Sequence, residues 1–238
     1  MKDKILWIIL GLVLLLVFSL TFMRTPEQIT GLLTEVSAEV KNFSAFAHVS
    51  FLAVIIIGLI FKGARRHLFS FFMAFISLSA AVIAIKYGIL PNIFIFAMFF
   101  ILIVNAYIRK QLNFSFSPMR PLNVLFGISA MFFGFWYLHW VEVPVWLNAL
   151  VYSPLGVVNC PTMLMVAGFL CLNENPRSIK LEAAVALTTL FFGFFGVFRL
   201  GATVDIVMII CALFLILRLG SYLNYMGHLE KPVGNSHP

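Results

Sequence analysis

Residues 5–22 read ILWIILGLVLLLVFSLTF, without a single charge, and seven more largely apolar runs follow along the chain. A run of about 20 apolar residues can cross a hydrocarbon core of about 30 Å. Lipid offers the backbone no hydrogen-bond partners, so only helices or closed barrels span it. These runs are continuous rather than alternating, which excludes a β-barrel. The composition agrees: 62% of residues are hydrophobic and 11% charged, with a mean hydropathy of +1.05, against roughly 25% charged in a soluble domain. The expected fold is all-α: a polytopic transmembrane helix bundle of about eight spans, near residues 5–22, 44–61, 68–86, 90–108, 122–140, 157–172, 182–199 and 203–218. The whole chain, 1–238, is then one integral membrane domain, its residues 44–223 forming a seven-span bundle after the first span.

The net charge of +7 raises the question of nucleic acid. Its distribution argues otherwise. With the N-terminus inside, the inner segments hold Lys2, Lys4, Lys62, Arg65, Arg66, Arg109, Lys110, Arg120, Arg177, Lys180, Arg218 and Lys231, and the outer ends hold only Arg24, Lys41, Lys86 and Arg199. This asymmetry is the positive-inside pattern. It is expected to place both termini on the cytoplasmic side of the membrane. No basic stripe with interleaved aromatics exists, so a nucleic-acid partner is not expected. The bilayer is the partner that composition implies; a membrane-protein partner or a second copy stays open.

The first span, 1–23, has a basic start and an apolar core, but that core is longer than a signal peptide's and no A-x-A site follows. It is expected to stay as a signal anchor. The segment 25–43 then reads as an external amphipathic helix. Thr25 can cap it, Pro26 suits its first turn and Glu27 its dipole. Ile29, Leu32, Leu33, Val36 and Val40 share a face that Glu27, Glu35, Glu39 and Lys41 avoid. It is either a connector over the outer ends of the spans or a docking surface or lid. The tail, 224–238, is expected to be a flexible cytoplasmic end.

The sixth expected span is the unusual one. Pro154, Gly156, Asn159 and Pro161 interrupt the apolar stretch YSPLGVVNCPTMLMVAGFL, residues 152–170. Pro154 and Gly156 end what precedes them. Pro161 suits a first helical turn, which makes Cys160 the expected cap and leaves a helix of about 18 Å, too short to cross alone. Such a break survives only inside protein or beside a watery cavity, so a pocket or buried kink open to the outer side is expected. Helix N-terminal dipoles favour a thiolate or a bound anion at Cys160, with Asn159 and Thr162 adding polar atoms. A structural cap, a solute-lining position and a reactive or metal-binding thiol are the three readings of Cys160.

Other candidates fall on the same outer side. His139 and Glu142 share one side of a helix end among Trp136, Tyr137, Trp140 and Trp146. They form either an interfacial belt or a proton relay or metal ligand. His48 opens the second span and could face the same cavity. Arg199 and Asp205 flank a tight connection, where they suit helix ends and can pair across the hairpin. Lys86 is expected to snorkel, and Asn105 to bond a neighbouring helix. FFGF at 132–135 and 191–194 is read less as a repeat than as small residues, Gly134, Gly193 and Gly196, admitting close helix contact. Cys160 and Cys171, eleven apart on one helix, lie about 16 Å apart and cannot pair. Cys211 reads as a small buried residue.

No P-loop, G-x-S-x-G, H-E-x-x-H, C-x-x-C or dinucleotide fingerprint is present. Nothing therefore points to an enzyme or names a cofactor. The segment VYSPLGVVNCPTMLMVAGFLCL resembles the hallmark of an uncharacterised family of bacterial multi-pass membrane proteins with a C-P-T-T-like motif. Cys160, Pro161 and Thr162 match it, and Met163 stands where the second Thr would be. The resemblance extends over about 25–223, with TPEQITGLLTEVSAEV similar to the family's start. It implies fold and membrane location, with no activity attached. The leading functional expectation is a membrane-embedded binding or permeation unit for a small solute or ion, with its site on the outer half. The alternatives are a non-catalytic subunit of a larger membrane complex and a thiol- or metal-dependent enzyme or metal handler centred on Cys160.

Overall fold

The structure, a computed structural model, describes residues 2–114, 120–140, 146–173 and 177–229. Ten α-helices and no strand occur among the described residues: α1 (Lys2–Thr21), α2 (Pro26–Glu39), α3 (Lys41–Ile60), α4 (Arg65–Lys86), α5 (Leu90–Ile108), α6 (Pro121–Phe135), α7 (Trp146–Tyr152), α8 (Asn159–Cys171), α9 (Ile179–Arg199) and α10 (Ile206–Leu229). Five stretches are long and apolar enough to cross a membrane, built on α3, α4, α5, α9 and α10, or six if bent α1–α2 is one span. Against the expectation of about eight spans stand five long apolar helices among the described residues, with α6 and α8 apolar but short.

The shortness is local in origin. Trp136 ends α6, its N–H still bonded to Phe132 O. Pro154 and Gly156, at φ +73°, keep the chain non-helical from Ser153 to Val158. Helix α8 then begins at Asn159 with Val158 as its cap residue, so Cys160 is not the cap. Thirteen residues give it about 20 Å.

Every residue of α8 is buried. It is the axis of the bundle, packed by α6, α9, α4 and α10. Helix α6 runs antiparallel to it at backbone contact. A Cβ at Gly134 would sit 2.8 Å from Pro161 O, and one at Gly168 2.8 Å from Gly127 O. Lipid supplies no hydrophobic drive between helices, so such small-residue contacts and their dispersion energy hold membrane bundles together. Phe169 packs its ring against those of Phe51, Phe69, Phe72 and Phe114, tying α8 to α3 and α4.

Helix α2 turns 101° from the last part of α1. A capping box starts it: Thr25 Oγ1 accepts from Gln28 N–H, and Gln28 Oε1 accepts from Thr25 N–H. Leu33 and Val36 are buried while Glu27, Glu35 and Glu39 are exposed, as the 3.6-residue period requires. Lys86 does not reach into open solvent alone; its Nζ donates to Glu39 Oε1 at 2.6 Å and fastens α2 to the end of α4. Asn105 bonds within its own helix end, accepting from Arg109 Nε. Residues 224–229 of the expected flexible tail, 224–238, instead continue α10, because the helix keeps its backbone bonds past the apolar run, and the rest, from 230, lies outside the described residues.

Candidate functional site

The end of the bundle that carries α2 gathers most of the expected site residues around the start of α8. Asp205 comes from the α9–α10 connection, folded tightly by Ala202 N–H donating to Gly196 O and Asp205 N–H donating to Ala202 O. Its carboxylate lies against Gly196, where any side chain would overlap it. Tyr137 O–H donates to Asp205 Oδ1 at 2.6 Å, and Cys160 S–H donates to Oδ2 at 3.3 Å. The break before α8 helps place the phenol, because Ser153 Oγ accepts from Tyr137 N–H. Tyr137 and Asp205 are fully buried and Cys160 is 2% exposed.

This cluster corrects several expectations. Arg199 does not pair with Asp205. It donates to Arg24 O and lies over the rings of Phe22 and Phe195. Two neutral donors hold the buried acid, and no Lys or Arg pairs with it among the described residues. Cys160, in the first turn of α8, serves as a hydrogen-bond donor to this carboxylate. It is as buried as Cys211 and not open to one side. Tyr137 belongs to no interfacial belt, and Trp140 is buried beside it at φ +66°.

Thr162 is spent on the backbone. Its hydroxyl accepts from Gly156 N–H and donates to Val158 O. His48 is buried and lies between two carbonyls, Ser44 O and Phe135 O, each at 2.8 Å. It fastens α3 to the end of α6 rather than facing a cavity. His139 is half-buried beside Tyr137 and Trp140. Glu142 lies outside the described residues.

Asn159 reaches a cavity. About 300 Å³ of space lies between α2, the ends of α1 and α9 and the α4–α5 turn, lined among others by Leu32, Leu33, Phe192, Arg24, Asn92 and Asn159. Asn159 Oδ1 is also the acceptor nearest Cys160 Sγ after Asp205, at 3.7 Å. A pocket of this size and mostly apolar lining, with a few convergent polar groups, is the usual form of a small-molecule site. Asn92 carries the least expected of these groups. It is 3% exposed, and its amide nitrogen has no hydrogen-bond partner among the described residues. Its neighbours Leu90 and Pro91 hid it as the start of one more apolar helix.

A second polar cluster caps the other end of α8. Arg218 donates to Cys171 O and Leu170 O at 2.7 and 2.6 Å and pairs with Glu182 at 3.3 Å, with Arg177 at 3.9 Å from the same carboxylate. Arg218 therefore lies within α10 and is buried. Cys171 and Cys211 meet here with Sγ atoms 3.8 Å apart. Among the described residues no three His, Cys, Asp or Glu side chains gather to hold a metal. Compared with known proteins, the chain matches no family model, no curated protein and no solved structure.

Proposed function

We propose that this chain is a membrane-embedded binding unit for a small hydrophobic or amphiphilic solute, with its site in the cavity beneath α2 on the outer half of the bilayer. One observation carries the reading: a cavity of about 300 Å³, bounded on one side by an amphipathic helix, whose lining includes Asn159 and Asn92. Behind Asn159 stands a buried acid held only by neutral donors. Ionisable groups at such depth belong by default to substrate or ion pathways. The orientation, α2 outward and both termini in the cytoplasm, rests on the basic residues at the opposite end, and bacterial inner membrane location on the family resemblance of the Cys160–Pro161–Thr162 segment. Helix α2 then lies along the outer surface, and α7 with α8 forms one broken span.

The test is thiol accessibility. In a chain whose three native cysteines are replaced by alanine, Asn159→Cys is expected to react with an impermeant maleimide added to intact cells. Restoring Cys160 instead should give no comparable reaction. If Asn159→Cys is silent from outside and labels only from the cytoplasmic face of inverted vesicles, the orientation is wrong. If it labels from neither, the cavity is not a site.

A further inference from the structure

We propose that the cavity beneath α2 takes a single-chain anionic amphiphile, a long-chain carboxylate of fatty-acid chemistry; this rests on the binding reading above and names its ligand class. The walls set the chain. Leu32, Leu33, Ile89, Phe192 and Phe195 give the cavity an apolar interior, and its volume lies at the low end of the range for ligand pockets. It suits one acyl chain and excludes the paired chains of a bilayer phospholipid.

The rim sets the head. Arg24 lines the cavity, and Arg199 is bonded to its carbonyl oxygen. The Arg24 guanidinium has one long bond, 3.4 Å to Gly88 O, out of five N–H donors. Its remaining fork matches a carboxylate in the bidentate fashion that favours Arg. Asn92, whose buried amide nitrogen has no hydrogen-bond partner among the described residues, lies in the cavity lining. Neither a cationic head nor a neutral hydrocarbon would answer these donors.

The experiment is photolabelling of the full chain in phosphatidylcholine nanodiscs with a palmitate carrying a diazirine on its chain, followed by peptide mapping. Labels are expected in Leu32–Leu33 of α2 and Phe192–Phe195 of α9. Unlabelled palmitate should compete; methyl palmitate, hexadecylamine and phosphatidylglycerol should not. Arg24→Gln, an exposed change that leaves the bundle intact, should reduce labelling about tenfold, as loss of a charge-assisted hydrogen bond implies. Leu33→Trp should fill the cavity and abolish labelling, and Leu32→Trp, at a half-exposed position, serves the same purpose if the first variant does not fold. Equal competition by methyl palmitate or hexadecylamine overturns the anionic head and leaves the cavity as a binding site. Competition by phosphatidylglycerol overturns the single chain in favour of a bilayer lipid. Labels spread over lipid-facing positions and indifferent to Leu32→Trp overturn this proposal and the binding reading together.

Discussion

The two ends of α8 bury charge in opposite ways. At its C-terminus, Arg218 answers the free carbonyls of Leu170 and Cys171 and, at the same time, the Glu182 carboxylate. The cation meets the negative end of the helix dipole as well as an acid. At its N-terminus, Asp205 sits near the positive end of the dipole but has only a phenol and a thiol as donors. A buried acid paired with guanidiniums suits a structural joint. On the proposed reading, the acid held by neutral donors close to the cavity belongs to the binding end.

The largest test of this contrast is Arg218→Met. It leaves Glu182 buried with one fewer cation and strips two carbonyls of their donor, so a loss of about 3–5 kcal/mol is expected, read as a lowered unfolding midpoint in detergent. Adding Glu182→Leu should recover part of that loss, because an apolar pair is better than a single buried charge. No recovery would mean that Arg218 acts on the carbonyls alone. Next comes Gly134→Ala, whose new methyl must push Pro161 O away from 2.8 Å; overpacking of this kind costs about 1–3 kcal/mol. The same loss of stability should come with disturbed reactivity of Asn159→Cys, because the start of α8 shifts.

Asp205→Asn should be milder, about 1 kcal/mol. The Tyr137 hydroxyl keeps an acceptor oxygen, and only the thiol bond is lost. A penalty as large as that of Arg218→Met would erase the distinction between the two ends. The smallest effect belongs to the lid. The Lys86 ammonium bonded to Glu39 holds that carboxyl below its usual range. Its contribution to holding α2 down is therefore complete above the ordinary glutamate value of about 4.3 and is lost as pH falls through the lowered one. Faster amide exchange confined to α2 is expected below that point, and in Lys86→Met at neutral pH. Exchange that instead spreads into α8 would tie the lid to the acid behind it.

Much of this was legible in the sequence because it is local. The period of Leu33 and Val36 against Glu35 and Glu39 gave α2 its buried face, and Pro154 with Gly156 gave the break. The start of α8 lies two residues before the expected one, since Asn159 already takes helical geometry and the cap falls on Val158, which makes no side-chain cap bond. What escaped was register between helices. Tyr137 and Asp205 are 68 positions apart, and their meeting depends on how far α9 and α10 rise beside α6. The same holds for Cys171 and Cys211, 40 apart, which separation along one helix cannot bring together. Arg218 counts in the sequence only as one of the inner basic residues; that it caps α8 depends on how α10 packs beside it. Asn92 escaped for want of any local signature: a lone amide in an apolar run becomes telling only when its nitrogen lacks a partner.

The Thr162 hydroxyl has a mechanical consequence. It bridges Gly156 N–H and Val158 O, while Pro154 O accepts from Val157 and Val158 N–H and Ser79 donates to Gly156 O. The elbow before α8 thus closes its own polar circuit and needs no solvent to persist in an apolar setting. An elbow sealed in this way is a weld rather than a hinge. On the proposed reading, motion that admits or releases a guest then falls to α2, with the buried stub of α8 as the fixed anvil beneath it.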